Sequence, residues 1–198
     1  MLSLSTIIFS KRAGVELMKI GLVRHYKVKP PPRQIWMSAE QFNEWILQYE
    51  QADLLQTDYA RNGGQEWNKC LSSDQARAAQ TARSLHSGDV IFTALLREIG
   101  IAAVKLPGFR LPVSCWLTLG RLCWALGHHS QPENRLNAKT RANMLLDSLE
   151  REEQAGNVLM VSHGAFMKLL ERELRRRGFK GRRMLHPQNG KLYMYEKE

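Results

Sequence analysis

Two short apolar runs constrain the fold of this chain most, because each leads directly into a polar segment that ends in histidine. Residues 20–23 read Ile-Gly-Leu-Val and precede Arg24-His25, and residues 158–161 read Val-Leu-Met-Val and precede Ser162-His163. An unbroken apolar run of this length indicates a strand that is buried on both faces. Such strands are typical of parallel sheets that helices cover on both sides.

Helical patterns alternate with the predicted strands. One helix is predicted to begin at the cap residue Ser38, where Gln41 completes a capping box. Further helices are predicted over residues 73–85, 132–154 and 165–177. Further strands are predicted at residues 70–73, 89–93 and 191–195, the last as an edge strand. This alternation predicts an α/β fold: a three-layer α/β/α sandwich with a mostly parallel central sheet and a small helical cap.

The chain is expected to form one domain, since 198 residues suffice for a single hydrophobic core. Residues 1–17 are predicted to be an N-terminal extension, because the strand pattern starts only at Met18. The domain itself is predicted to cover residues 18–198. Within it, residues 107–132 are bounded by prolines and contain Trp116 and Trp124, which favours a helical cap over a site. Packing is the favoured role for these two tryptophans, ahead of a stacking platform.

The charge of the chain limits its partners without selecting one. The sequence has 29 Lys and Arg against 19 Asp and Glu, a formal net charge of +10. A positive surface attracts anions, so phosphorylated metabolites, phosphoproteins, nucleic acid and acidic membranes are all admissible. The strongest basic cluster consists of Arg172, Arg175, Arg176, Arg177, Lys180, Arg182 and Arg183. It is interpreted as a solvated helix face, as the rim of a pocket for a multiply phosphorylated substrate, or as a patch for acidic membrane or nucleic acid. Nucleic acid is the weaker option because no aromatic residues are interleaved.

Cysteine usage favours a reducing compartment. The chain has three cysteines and no C-x-x-C pair, which supports neither a disulfide framework nor a zinc knuckle. The apolar residues 2–9 are followed, and not preceded, by Lys11 and Arg12, the wrong order for a secretory signal. No stretch reaches the ~18 to 20 apolar residues of a membrane span. A cytoplasmic location is therefore expected.

Four segments carry side chains suited to phosphate chemistry. In an open α/β sheet, ligands bind beyond the carboxyl ends of the strands, where His25 and His163 are expected to face each other. Arg77 lies early in the helix predicted from residue 73, where a guanidinium and the helix N-terminus attract phosphate oxygens. Glu98 follows an apolar run and is a candidate proton donor. Singly, each of these residues is more often structural, so the prediction rests on their combination.

These segments closely resemble the motifs of the histidine phosphatase, or phosphoglycerate-mutase-like, superfamily, in its short single-domain branch. Residues 22–25 (Leu-Val-Arg-His) are similar to the family's nucleophile motif. Residues 73–82 resemble its second-arginine segment across ten consecutive positions, and residues 161–164 (Val-Ser-His-Gly) resemble its second-histidine motif. The resemblance runs from about Met18 to the C-terminus, with order and spacing in agreement.

The resemblance implies a role for each matching residue. His25 is the implied phosphate acceptor, and Arg24 and Arg77 are the implied phosphate clamps. His163, expected to be protonated, is the second clamp, with Gly164 beside it. Two guanidiniums and this imidazolium would supply the charge stabilisation that a metal ion gives elsewhere. Neither a metal nor another cofactor is therefore expected, and His128-His129 has no ligand partner at a useful spacing.

The implied activity is that of a histidine acid phosphatase-like enzyme, which hydrolyses a phosphomonoester through a phosphohistidine at His25. Glu98 matches the family's acid position and would protonate the leaving oxygen. The expected substrate is a small phosphorylated molecule or a phosphoprotein. Two alternatives stay open: a phosphoglycerate-mutase-like phosphotransferase, and a low-turnover phosphate-sensing or protein-binding module. Tyr26 stands where many family members have glycine, and a bulky ring there disfavours the mutase more than hydrolysis.

Overall fold

The computed structural model of the chain describes residues 18–55, 66–152 and 156–197. The predicted extension at residues 1–17 lies outside these ranges. Within them, no helix has both the length and the apolar character that crossing a membrane requires.

A mixed sheet of six strands, counted over the described residues, forms the middle layer in the order β3-β2-β4-β1-β6-β5. The pairs β1–β4, β4–β2 and β2–β3 are parallel, whereas β6 runs antiparallel to β1 and β5. The predicted mostly parallel sheet is confirmed. The strands are β1 Met18–Arg24, β2 Lys69–Ser73, β3 Val90–Thr93, β4 Val158–Ser162, β5 Lys180–Gly181 and β6 Leu192–Lys197.

The prediction of an edge strand near the C-terminus is wrong. Strand β6 pairs with β1 along one side and with β5 along the other. The sequence pattern did not indicate β5, because this strand is only two residues long. Gly181 permits this pairing, because a Cβ atom there would lie 2.2 Å from the carbonyl oxygen of Met194.

Helices cover both faces of the sheet. Ser38 caps the first helix as predicted, because its Oγ accepts from Gln41 N at 3.3 Å and Gln41 Oε1 accepts from Ser38 N at 3.0 Å. The predicted helix start at residue 132 is wrong, since the side chain of Asn134 accepts from Asn137 N and caps the helix there. The helices are α1 Ala39–Glu50, α2 Ala76–Leu85, α3 Val113–Ala125, α4 Arg135–Glu150 and α5 Gly164–Arg176, with a 3₁₀ turn at Ala94–Leu96.

The two apolar runs form the centre of the sheet and are buried on both faces, as predicted. Alternate residues of β1 and β4 point to opposite sides. Leu22 and Met160 pack with helices α4 and α5 in the larger core cluster. Val23 and Val161 pack on the other face, in a smaller cluster that contains Ala78 of α2. This division of each strand between two clusters produces the three predicted layers.

A third apolar cluster joins α1 to α3, the helix that occupies half of the predicted excursion at residues 107–132. Trp116 is fully buried, and its ring centroid lies 5.9 Å from that of Phe42. Its Nε1–H donates to the carbonyl oxygen of Met37 at 2.9 Å, which satisfies the buried indole. Trp124 packs against the larger cluster beneath the sheet. Both tryptophans therefore have the predicted packing role.

Removal of the Trp116 side chain is expected to destabilise the domain. Trp116→Ala leaves a cavity and an unpaired carbonyl, which should lower the free energy of unfolding by about 3–5 kcal/mol. Trp36→Ala is the matched control, because Trp36 is 56% exposed; its effect should stay within about 0.5 kcal/mol. Urea unfolding, monitored by circular dichroism, measures both changes. Equal losses in the two variants would contradict the packing described for Trp116.

Candidate active site

The two predicted histidines lie together at the carboxyl ends of the central strands. Parallel pairing sets Arg24 of β1 opposite Ser162 of β4, and His25 N donates to the Ser162 carbonyl oxygen at 2.9 Å. The following side chains meet, so the ring centroids of His25 and His163 are 5.1 Å apart. Both rings are buried, with exposed fractions of 2% and 0%. The expectation that the two histidines face each other is confirmed.

His25 has the tautomer of a nucleophile. Its Nδ1 lies 2.6 Å from the carbonyl oxygen of Tyr26. A carbonyl oxygen only accepts, so Nδ1 carries the proton and the lone pair is on Nε2. The pKa of His25 is lowered to about 3, mainly by burial. The nearby guanidiniums of Arg77 and Arg24 also lower this pKa, whereas the hydrogen bond to the Tyr26 carbonyl raises it. At neutral pH the imidazole is therefore uncharged and can attack phosphorus.

His163 is held by Ser73 at the end of β2, with 2.9 Å between Nε2 and Oγ. Burial lowers its pKa well below the usual value, and the neighbouring His25, Arg77 and Arg24 side chains lower it further. The protonated His163 that is expected beside a transferring phosphoryl group is therefore disfavoured in the protein by itself, because a further positive charge would be buried beside two guanidiniums. A phosphate dianion in the same place would act in the opposite direction and favour the protonated form.

The two predicted phosphate clamps approach the histidines from different elements. Arg24 ends β1 and donates from one terminal nitrogen to the Pro187 carbonyl oxygen at 3.0 Å. Arg77, 3% exposed, lies in the first turn of α2 and donates to Glu50 O at 2.8 Å and to Gln75 Oε1 at 3.0 Å. Neither guanidinium turns outward into solvent.

Three buried nitrogens at this site have no partner among the described residues: Nε of Arg24, Nε of Arg77 and Nδ1 of His163. Buried N–H groups without acceptors are rare and costly. Two of the three belong to guanidiniums, which only donate. Their convergence beside His25 fits the recognition of a tetrahedral oxyanion, which offers several acceptor oxygens in a small volume.

Helix α5 points its N-terminus at the same place. His163 is its N-cap and Gly164 its first residue. A Cβ atom on Gly164 would lie 3.4 Å from Nε and Cζ of Arg24, so the glycine backbone packs against that guanidinium. The helix start adds the positive end of its dipole to the two arginines.

The carboxylate of Glu98 caps the same helix. Its Oε1 accepts from Phe166 N at 3.0 Å and from Ile99 N at 2.9 Å, and its Oε2 accepts from Ala165 N at 3.2 Å. The sequence-based view that Glu98 follows a strand end is wrong, because a 3₁₀ turn separates it from β3. These three donors suit an ionised carboxylate. To act as a proton donor, the carboxyl group must release at least one of them.

The family model of the histidine phosphatase superfamily (branch 1) matches residues 47–198. This chain belongs to the histidine phosphatase superfamily. The matched residues include Arg77, Glu98, His163 and Gly164, whereas Arg24 and His25 precede them and reach the site through β1. No curated protein sequence matches the chain significantly.

Solved structures share the fold at low sequence identity. A mycobacterial hydrolase has a TM-score of 0.58 at 16% identity, over 92% of this chain and 93% of the other. A phosphoserine phosphatase variant from Entamoeba histolytica, in complex with phosphoserine, has a TM-score of 0.55 at 17% identity, over 89% of each chain. A mycobacterial glucosyl-3-phosphoglycerate phosphatase in complex with inorganic phosphate has a TM-score of 0.51 at 19% identity, over 80% of this chain and 79% of the other. At these identities the similarity shows the fold alone.

Sequence reasoning gave no role to three side chains that hold the active-site residues of this histidine phosphatase in place. Thr81 Oγ1 accepts from Tyr26 N at 3.0 Å and donates to Arg77 O at 2.7 Å, which couples the nucleophile to the clamp helix. Asn189 Nδ2 donates to the His25 carbonyl oxygen at 2.7 Å. The Asn-Gly pair at residues 189–190 is typical of a turn. Nothing local in the sequence indicated that this turn would contact His25.

Arg141 of α4 is the third of these side chains and positions the turn that carries Glu98. One of its terminal nitrogens donates to the carbonyl oxygens of Leu95 and Arg97, each at 2.9 Å. A bidentate pair with Glu133, at 2.9 and 2.8 Å, holds the guanidinium, which lies 4.2 Å above the ring of Phe166. Arg141 therefore links the Glu98 turn to the start of α5.

The basic cluster divides into two parts. Arg175 pairs with Glu171, Arg176 with Glu173, and Arg177 with Asp147 and Glu150, so these three arginines stabilise helix packing. The remaining four, Arg172, Lys180, Arg182 and Arg183, are exposed and have no ion pair within the described ranges. The interpretation as a solvated helix face does not describe this first part, because its arginines are ion-paired and the side chain of Arg177 is only 13% exposed.

Two other features involve neither His25 nor His163. A surface pocket of about 240 Å³ lies between residues 33–35 and residues 112–114, and no active-site residue lines it. His128 and His129 stack with ring centroids 4.3 Å apart in the loop after α3. Over the described part of the chain, no group of three or more His, Cys, Asp or Glu side chains is arranged to hold a metal ion.

The buried neutral state of His25 should make the domain sensitive to acid. In the unfolded chain the imidazole takes up a proton below pH 6.5, whereas in the folded state it does so only near pH 3. Stability should therefore fall as the pH decreases through this window, by up to about 1.4 kcal/mol per pH unit for His25. His25→Asn should flatten this decrease, whereas His129→Asn, in an exposed loop, should not. Urea unfolding at pH values between neutral and mildly acidic tests the difference, and identical slopes in wild type and His25→Asn would contradict it.

Proposed function

We propose that this histidine phosphatase hydrolyses a phosphomonoester through a covalent phosphohistidine at His25, without a metal ion. The observation that carries the proposal is the pair of buried imidazoles, with ring centroids 5.1 Å apart and unpartnered arginine N–H groups beside them. The lone pair of His25 Nε2 is the nucleophile, since Nδ1–H is held by the Tyr26 carbonyl. The substrate class is a phosphate ester of a small molecule or of a protein side chain.

The reaction has two displacements at phosphorus. In the first, His25 Nε2 forms the P–N bond while the ester P–O bond breaks, and the leaving oxygen takes a proton from the Glu98 carboxyl group. In the second, a water oxygen attacks phosphorus and the P–N bond breaks. The Glu98 carboxylate accepts a proton from that water, so inorganic phosphate leaves and the enzyme returns to its starting protonation state.

Positive groups around the phosphorus stabilise both transition states. The transferring phosphoryl group spreads negative charge over three equatorial oxygens. Arg24 and Arg77 direct their unpartnered Nε–H groups to those oxygens, and the N-terminus of α5 at Gly164 adds the positive end of its dipole. His163 takes up a proton when the dianion enters, because the phosphate charge offsets the burial that otherwise keeps it neutral.

Hydrolysis is favoured over transfer to a second hydroxyl of the substrate. Tyr26 is 5% exposed and directly follows the nucleophile. A bulky residue here, where many family members have glycine, leaves less room to reorient a phosphorylated intermediate, as a mutase must. Water is small enough to attack the phosphohistidine without such space.

Replacement of His25 tests the nucleophile. His25→Ala should lower the hydrolysis of an aryl phosphate, measured with a chelator present, by about three orders of magnitude or more. His129→Ala is the matched control and should retain wild-type activity. Rapid acid-free denaturation during turnover should trap phosphate on His25 in the wild type. Phosphate mapped to a different residue, or equal rates for wild type and His25→Ala, would refute the proposal, and no turnover in either protein would favour a phosphate-binding module.

The leaving-group dependence of Glu98→Gln tests the proton donor. If Glu98 protonates the leaving oxygen, the substitution should slow alkyl phosphates at least about tenfold more than activated aryl phosphates, which need no acid. The amide also loses one acceptor for the N–H groups of α5. Unfolding measurements on the same variant separate this loss of helix capping from the loss of the proton donor. Equal slowing of both substrate classes would assign Glu98 to helix capping alone.

A further inference from the structure

The hydroxyl group of Ser73 contacts one ring nitrogen of His163 deep inside the protein. Ser73 is the last residue of β2, which pairs with β3 on one side and β4 on the other. Both residues have an exposed fraction of 0%, and 2.9 Å separates Ser73 Oγ from His163 Nε2. The other ring nitrogen, Nδ1, is buried without a partner among the described residues. The hydroxyl group is therefore the contact that can decide which ring nitrogen carries the proton.

The hydrogen bonds of the Ser73 hydroxyl leave it one donor role. A serine hydroxyl has one O–H and two lone pairs. The backbone N–H of Gln75 donates to Ser73 Oγ at 3.3 Å and occupies one lone pair. Over the ranges that the structure describes, His163 Nε2 is the one acceptor within hydrogen-bond geometry of the Ser73 O–H. The hydroxyl proton therefore points to His163 or stays unpaired.

The two neutral forms of His163 differ in how many buried groups they leave unpaired. With the ring proton on Nδ1, Ser73 donates to the lone pair of Nε2, and only Nδ1–H lacks a partner. With the ring proton on Nε2, this N–H donates to Ser73, and both the Ser73 O–H and the Nδ1 lone pair lack partners. Because each buried polar group without a partner costs free energy, the first form is favoured.

We infer that Ser73 is a positioning residue, whose hydroxyl holds neutral His163 with its proton on Nδ1. Nδ1 is the ring nitrogen nearer the main chain, and His163 is the N-cap of α5. The next residue, Gly164, packs against the guanidinium of Arg24. The ring thus offers a ready N–H donor to an anion beside that guanidinium. The identity of this anion as a substrate phosphate rests on the proposed function, whereas the position of the proton does not.

The same hydroxyl also stabilises the charged ring. When a phosphate dianion binds, His163 takes up a proton from solvent at Nε2, the nitrogen that still has a lone pair. Nε2–H then donates to Ser73 Oγ, because the hydroxyl can rotate about its Cβ–Oγ bond and change from donor to acceptor. The positive side chains around the ring oppose this protonation. A hydrogen bond from a charged donor is stronger than one between neutral groups, so Ser73 favours phosphate binding.

Nuclear magnetic resonance of the full chain tests the position of the proton. Two-bond ¹H–¹⁵N spectra show which nitrogen of each histidine is protonated, and His163→Asn identifies the signals of His163 by their loss. The free wild type should carry the proton on Nδ1, and saturation with inorganic phosphate should protonate both nitrogens. Ser73→Ala should lose the preference for Nδ1 and populate both neutral forms, because nothing then donates to Nε2.

Calorimetric titration with inorganic phosphate tests the effect on binding without relying on turnover. Ser73→Ala should bind phosphate about tenfold more weakly, because the charged ring loses its acceptor at Nε2. Ser73→Thr keeps the hydroxyl and should restore most of the affinity. Ser72→Ala is the matched control, since Ser72 is equally buried and its Oγ donates to the Ser73 carbonyl oxygen at 2.9 Å. This variant should bind phosphate as the wild type does.

Two results would overturn the inference. One is a proton on Nε2 of His163 in the free wild type. The other is a phosphate affinity that Ser73→Ala leaves unchanged, or that Ser72→Ala lowers equally. A failure of the proposed function has a different signature: a wild type that holds the proton on Nδ1 but does not hydrolyse phosphate esters would refute hydrolysis and leave the role of Ser73 in place.

Discussion

The in-register parallel pairing of β1 with β4 is the constraint on which the active site depends. It sets Arg24 beside Ser162 and fixes the backbone of His25 on the Ser162 carbonyl. Both histidines then leave the sheet at the same height and meet with centroids 5.1 Å apart. A shift of one residue would turn one imidazole to the opposite face, because side chains alternate along a strand. The apolar runs prevent this shift, since each of their faces is already buried in a separate cluster.

The site concentrates positive groups and unpaired donors where the protein offers them few acceptors. Two guanidiniums, two imidazoles and a helix N-terminus surround one small volume, and burial keeps both imidazoles uncharged. The arrangement is unfavourable for the protein by itself and favourable with an oxyanion present. Thr81, Asn189 and Arg141 hold it in place through hydrogen bonds to backbone groups of the site.

Much of this was predictable from local patterns. The two apolar runs indicated the central strands, and the capping box at Ser38 indicated the start of α1. The predictions failed where a distant contact decides the outcome. Strand β6 is internal because the two-residue β5 pairs with it, and no sequence period identifies so short a strand. The uncharged state of His163 in the protein by itself was not predictable for a similar reason, since its burial depends on elements that are far apart in the chain.

The sequence by itself determined the types of element, the residues of the family motifs and the strands that carry the histidines, because these depend on patterns within a few residues. The tertiary structure alone decided what each group contacts. It placed the Glu98 carboxylate on the N–H groups of α5 and Asn189 on the carbonyl of His25. These contacts join residues 68 and 164 positions apart. Chain folding brings them together, and no local periodicity encodes that proximity.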